Sequence, residues 1–174
     1  MENIEVIDGF LDSEELQTAV NKIVDMKWRF GHKSLYENAY ETPFWFCDLE
    51  NDEFFSVYIK KIIEKTFSKK FEILRLYANG QTYGQDGIYH KDCNNISKKC
   101  YTFCLYLSNM KLEHIEIAGG HIYFKFPDLQ YNICYEPVFN RGIFFPSDYE
   151  HKACAFSRYI MNMRVCVSWK LKEI

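Results

Sequence analysis

Apolar and polar positions change period partway along the chain, and the change separates two kinds of element. Over residues 12–26 the apolar residues Leu16, Val20, Ile23 and Val24 recur at helical spacing and share one face. Asp12 followed by Glu15 is a capping-box pattern that starts this helix, which is expected to run to about Met26. A short strand over 3–10 precedes it, and Trp28 and Phe30 open another. Residues 52–68 repeat the helical signal. Phe55, Tyr58, Ile59, Ile62 and Ile63 form an apolar stripe, with Lys60, Lys61, Glu64 and Lys65 on the wet face. From residue 71 the pattern becomes strand-like, in runs at 71–78, 100–107, 121–126, 131–138, 142–145 and 159–171. Turn signals such as Asn79-Gly80 and Gly119-Gly120 punctuate them. Residues 31–51, polar and aromatic with Gly31 and Pro43, read as a long loop or irregular strands.

Two helices followed by a series of short strands predict an α+β protein, with helices packed on one side of an antiparallel sandwich or barrel. The economical division is one domain over 1–174, with helical support over about 1–70 and a strand core over about 71–171. Composition agrees. Hydrophobic residues make up 48% and aromatics 18%, enough for a sizeable core and far from the composition of disorder. The net charge of −3 provides neither a broad basic footprint for nucleic acid nor a polybasic membrane patch. Seven cysteines, with no C-x-x-C pair, suit a reducing, intracellular (cytoplasmic) setting, with Cys104 and Cys166 as core thiols. No signal peptide or membrane-spanning run is evident.

The candidate chemistry lies in three separated pieces. His90 and Asp92 are two apart, so on a strand they face the same side. By itself H-x-D is a weak signal, more often an ordinary surface or turn pair. His151 comes much later, far enough for intervening strands to return the chain to the same place. Two histidines and one carboxylate with open positions opposite form the facial arrangement of non-haem Fe(II) oxygenases.

Other segments in the same order give this weight. Leu74-Arg75-Leu76-Tyr77-Ala78-Asn79-Gly80-Gln81, His90-Lys91-Asp92, Thr102-Phe103-Cys104-Leu105-Tyr106-Leu107-Ser108-Asn109, Gly119-Gly120-His121-Ile122-Tyr123-Phe124, Asn140-Arg141-Gly142-Ile143-Phe144-Phe145-Pro146 and His151 follow one another. Together they resemble the 2-oxoglutarate/Fe(II)-dependent oxygenase superfamily, particularly its prolyl-4-hydroxylase-like branch. The resemblance covers about 71–171, and more loosely the stretch from Val6 to Leu16. It implies a double-stranded β-helix, or jelly roll, with N-terminal supporting helices. It also implies Fe(II) held by His90, Asp92 and His151, 2-oxoglutarate and O2 as co-substrates, and ascorbate as a candidate auxiliary.

The distal carboxylate of 2-oxoglutarate needs a buried cation, and a guanidinium fork suits it. The family places an Arg or Lys roughly ten residues after the second histidine. Arg158 and Arg164 lie on either side of that spacing, a departure from the pattern. Arg164 is favoured because it lies within an apolar strand. Tyr77 and Tyr106 are candidates to hydrogen-bond the same molecule, although strand tyrosines also pack without further role. Thr102 is a weaker candidate. His121 is read as structural or near the pocket, His32 and His114 as exposed, and Arg141 as the partner of an acid. The resemblance implies hydroxylation of a C–H bond, with a peptidyl proline or other peptide residue as first substrate class. A free amino acid or small molecule, or a nucleic-acid dealkylation suggested by Arg164 and Lys170 in the closing strand, are alternatives. An inactive jelly-roll binding module and a zinc hydrolase are the readings from other classes.

Overall fold

The computed structural model describes residues 4–34, 40–93, 99–109 and 112–174. Strand β1 (Glu5–Ile7) leads to helix α1 (Ser13–Asp25), then to β2 (Arg29–His32) and β3 (Phe44–Asp48). A wide π-helical turn (Phe54–Ile59) continues into α2 (Lys60–Phe67). The remaining strands are β4 (Phe71–Gln81), β5 (Cys100–Tyr106), β6 (Ile122–Lys125), β7 (Ile133–Tyr135), β8 (Gly142–Pro146), β9 (Glu150–Ala153) and β10 (Arg164–Glu173), with the short helix α3 (Ile115–Ala118) between β5 and β6. Seven strands form the major sheet in the order β1-β8-β5-β10-β4-β3-β2. Strands β7-β6-β9 form the minor one. The paired strands run antiparallel throughout.

Alternation along the major sheet decides what packs where. One face presents Leu76 and Ala78 of β4, Phe103 and Leu105 of β5, Phe144 of β8 and Val165, Val167 and Trp169 of β10. These join Ala19 and Ile23 of α1 and Phe55, Ile59 and Ile63 in one core. Trp169 is fully buried, and its indole donates to the Phe55 carbonyl at 3.0 Å, tying the closing strand to the helical layer. The opposite face presents Cys104, Tyr106, Ile143, Phe145 and Cys166 to Ile122 and Phe124 of the minor sheet. The cavity described below is lined by residues of both sheets, among them Ile122 and His151 of the minor sheet and Tyr106 and Arg164 of the major one.

The capping box at Asp12 is present in full, with Asp12 accepting from Glu14 and Glu15 N–H and Glu15 accepting from Asp12 N–H. Several boundaries differ from the sequence expectation. The stripe of α1 that packs is Leu16, Ala19 and Ile23, so Val24 turns to solvent, 74% exposed. Tyr58 is half exposed because the π-helical turn rotates it off the stripe. Of the two readings of 31–51, loop or irregular strands, the second fits 44–48, which form β3 and pair with β4 inside the major sheet; residues 35–39 lie outside the described residues. Three strands thus fall within the first seventy residues, β1 and β2 where short strands were expected. The closing strand begins at Arg164, not residue 159, and the strand expected over 131–138 shortens to β7.

Candidate metal centre and its pocket

His90 and His151 are brought together by backbone. Each donates its N–H to the other's carbonyl at 2.9 Å, an isolated antiparallel bridge that puts the rings 4.5 Å apart. His90 therefore sits on a single bridge outside the named strands. His151 occupies the inward position of β9 and is buried, while Glu150 and Lys152 on either side stay more accessible. In both imidazoles Nδ1 lies 2.9 Å from a backbone carbonyl two residues earlier, Ile88 for His90 and Tyr149 for His151. A carbonyl can only accept, so each Nδ1 carries the proton and each Nε2 presents its lone pair. Both Nε2 atoms lie 3.5 Å from Asp92, one from each carboxylate oxygen. One ligand atom from each of His90, Asp92 and His151 lies within 4.8 Å of the others. Two imidazoles and one carboxylate, with no thiolate among them, suit Fe(II) and leave one side open.

Asp92 is held from below. Its N–H donates to the Ser147 carbonyl at 2.9 Å. The Thr102 hydroxyl donates to its Oδ2 at 2.7 Å and accepts in turn from the Ser147 hydroxyl at 2.9 Å. Lys170, largely buried, makes an ion pair with the same oxygen. Burial alone would push the Asp92 carboxyl up, but Lys170 and the two histidines outweigh it and hold it well below the usual carboxylate range. Burial pushes His151 down to about 4, against the pull of Asp92, so its imidazole is neutral near pH 7 and fit to ligate.

These groups open into a cavity of about 300 Å³. Its wall is the inner face of β4 and β10, where register pairs Arg164 with Gln81, Cys166 with Asn79, Ser168 with Tyr77 and Lys170 with Arg75. Arg164 is 1% exposed. Its guanidinium donates to the Gly120 carbonyl at 2.7 Å and Gln81 Oε1 at 2.9 Å, lies 3.5 Å from the Tyr106 hydroxyl and faces the Tyr106 ring at 5.0 Å. Gly119 and Gly120 both have positive φ, and a Cβ on Gly120 would strike the Phe156 ring. The double glycine thus turns its carbonyl toward Arg164. Among the described residues no carboxylate pairs with this buried cation. Such a charge calls for an anionic partner.

Tyr106 is fully buried beside Arg164, and burial raises its phenol well above the usual range. Tyr77 lines the cavity nearer Asp92, raised by burial too, and makes no hydrogen bond among the described residues. Asn79 Oδ1, buried in the same wall, has no hydrogen-bond partner among the described residues. Arg158 is exposed, stacks on Tyr159 at 5.3 Å and does not reach the cavity. His32 corrects an expectation: it is buried, not exposed, against Phe44, Phe46 and Tyr77, and lines the cavity. Burial, then the nearby Arg75, pushes its imidazole down to about 4. His121 stays outside the cavity beside Tyr123, and His114 is exposed beside Glu113. Arg141 pairs with Asp8 at 2.6 Å, as an acid partner was expected to do. Cys104 and Cys166 are buried as expected of core thiols but also face the cavity.

Comparison with solved structures places this architecture. A prolyl hydroxylase from Trichoplax adhaerens, solved with a hypoxia inducible factor oxygen degradation domain peptide fragment, superposes with a TM-score of 0.71 at 18% identity over 98% of this chain and 83% of that one. The fold is the double-stranded β-helix of the 2-oxoglutarate/Fe(II) oxygenases. A prolyl-4-hydroxylase from Pseudomonas putida matches at TM-score 0.68 and 13% identity, over 100% of this chain and 94% of that one. A non-heme alpha-ketoglutarate-dependent epimerase from nogalamycin biosynthesis matches at 0.69 and 10%, over 97% and 76%. No protein-family model and no curated protein matches the sequence. Among the described residues no helix is long and apolar enough to cross a membrane.

The chemistry-bearing residues that sequence reasoning gave no role are Gln81, Asn79 and Ser147, and Lys170 was connected only with the dealkylation alternative, not with Asp92. Lys170 had a signal, since it follows Arg164 by an even step on one strand and so shares its face. Ser147 had none, because its role depends on a turn that brings it under Asp92.

Proposed function

We propose that this protein is an Fe(II)- and 2-oxoglutarate-dependent dioxygenase that hydroxylates a C–H bond of a peptide residue, with prolyl as the first candidate. Residues 1–174 would work as one oxygenase domain in a reducing intracellular compartment, a setting that seven free cysteines suit. The observation that carries the reading is one cavity holding both the His90–Asp92–His151 cluster and the buried, acid-free guanidinium of Arg164. A structural metal site would not need that arginine, and a zinc hydrolase would not use it. The peptide class draws on the hydroxylase solved with a peptide fragment, and on its similarity to this chain across nearly the whole length.

In this reading His90 Nε2, Asp92 and His151 Nε2 hold the iron on one face. When bound, the metal with 2-oxoglutarate and O2 supplies the oxidation that converts C–H to C–OH, with succinate and CO2 as the other products. The chain's own residues orient and exclude. Gln81 and Gly120 fix the Arg164 fork, which takes the distal carboxylate of 2-oxoglutarate, and the Tyr106 hydroxyl joins it there. Tyr77, which lines the cavity and makes no hydrogen bond among the described residues, is the candidate for the other end of the molecule. Thr102 and Lys170 keep Asp92 ionised and in one rotamer. Ile122 and Phe124 help line or back the site and keep water from it.

Anaerobic titration of Fe(II) and 2-oxoglutarate, followed by the weak visible charge-transfer band of the chelate, tests this. The band is expected in the wild type, and Arg164→Ala should need far more 2-oxoglutarate to reach it. No band in the iron-loaded wild type would overturn the oxygenase reading. A band unaffected by the substitution would remove Arg164 from it.

A further inference from the structure

The chain is acidic overall, yet the cavity is not. Among the described residues Lys33, Arg75, Lys91, Arg164 and Lys170 line it, against the one carboxylate of Asp92. Two of these cations are already committed. Lys170 is neutralised by Asp92, and Arg164 lies deep among Gln81, Gly120 and Tyr106, where the reading above assigns it to 2-oxoglutarate. Arg75 is different. It stands directly across from Lys170 in the β4–β10 register, so two cations occupy opposed positions on one face, an arrangement that destabilises a sheet unless something negative lies between or beside them. Lys170 has its acid; among the described residues Arg75 has none. Its guanidinium is held 4.5 Å from the Tyr77 ring centre and, among the described residues, makes no hydrogen bond or ion pair. It is close enough to depress buried His32, which also faces the cavity. Arg75 is open to solvent, but its guanidinium is stacked on Tyr77 in the cavity wall, so its donors are available to whatever enters the cavity.

We propose that Arg75, with Lys91 in the lining of the same cavity, recognises a carboxylate on the substrate close to the carbon that is oxidised. The inference rests on the oxygenase reading for what happens to the substrate, and on charge and placement for what binds. The carboxylate has two sources: an acidic side chain next to the target residue of a peptide, or the α-carboxylate of a free amino acid. Both present the same planar acceptor to a guanidinium fork.

The test is equilibrium binding under anaerobic conditions to the Fe(II)- and 2-oxoglutarate-loaded protein. The probes are capped five-residue peptides with a central proline flanked by Glu or by the isosteric Gln, and free proline and glutamate beside their amides. The carboxylate form of at least one pair should bind about tenfold tighter than its amide, as a charge-assisted hydrogen bond implies. Arg75→Gln should erase that difference, and Arg75→Lys should keep part of it. Preference within the peptide pair identifies the side-chain source, and within the free pair the α-carboxylate. Equal binding of carboxylate and amide in every pair, or a preference that survives Arg75→Gln in a protein melting like the wild type, would overturn the proposal. The chelate band separates the two readings. A band with no carboxylate preference sinks this inference alone. A preference that persists without a band leaves the anion site standing and removes the oxygenase.

Discussion

Asp92 is the residue on which charge, burial and ligation converge. A carboxylate this buried is stable only with compensation, and in the metal-free protein Lys170 and Thr102 provide it at one oxygen. A bound cation would provide it from the other side, so Lys170 and the metal act as alternative counter-charges to the same group. Lys170→Met should therefore destabilise the metal-free protein by about 3–5 kcal/mol, the cost of leaving a buried charge unpaired. With Fe(II) bound the loss should be clearly smaller, because the metal takes over the role of the ammonium. Urea unfolding under anaerobic conditions, with and without Fe(II), measures both. An equal loss in the two states would mean that Lys170 contributes through packing and not through Asp92. The ligands themselves were legible in the sequence because H-x-D and a distal histidine constrain residue type. Their support was not, since Thr102, Ser147 and Lys170 meet Asp92 only through strand register and a turn.

At the scale of elements, the junction between α2 and β4 shows how much a single side chain can hold. Ser68 takes a left-handed conformation, and the chain turns back so that Glu64, near the end of α2, accepts the Phe71 N–H at 2.9 Å with Lys60 and Lys70 on its oxygens. Phe71 is buried, so that N–H has no access to water. Glu64→Ala should cost about 1–3 kcal/mol of stability, the usual penalty for orphaning a buried donor. Burial pushes the Glu64 carboxyl up, but the Phe71 N–H and the two lysines outweigh it and set its value below the usual one. A carboxyl lowered in the folded state adds stability above its unfolded value and loses it as pH falls through the folded value. The wild type should thus lose stability on acidification below about pH 4.5 more steeply than Glu64→Gln, read from denaturant unfolding at several pH values. The helices that this junction serves were visible from apolar spacing and caps. Strand β9 was not: Glu150-His151-Lys152-Ala153 has no apolar alternation, and only pairing with β6 makes it a strand. Strand β3 was legible only as one alternative, loop or irregular strands, because its role as a sheet neighbour depends on β4. Elements that carry their own amphipathic signal are readable from sequence, whereas elements defined by a partner strand are not.

For the whole molecule, the important fact is where the candidate ligands sit relative to the two sheets. His151 belongs to the minor sheet, and Asp92 is tied to the major sheet through Thr102 of β5 and Lys170 of β10. His90 is bridged to His151 by backbone alone. A cation on these three side chains would clamp the minor sheet to the major one at the open end of the sandwich. Elsewhere the sheets adhere through the apolar layer of Ile122, Phe124, Ile143 and Phe145. Metal binding should consequently stabilise the fold as a whole and not only the local loop. At a free Fe(II) concentration a hundredfold above its dissociation constant, linkage predicts about 2.7 kcal/mol. For a chain of this size that corresponds to a rise of roughly 5–11 °C in Tm, at about 2–4 °C per kcal/mol. Anaerobic calorimetry should show one cooperative transition that moves up with Fe(II) and returns on chelation. His151→Ala should abolish the shift, while Arg75→Gln, which lies outside the ligand set, should leave it intact. A transition that splits on adding metal, with only one part moving, would mean that the site stabilises the minor sheet alone and that the clamp between the sheets does not exist.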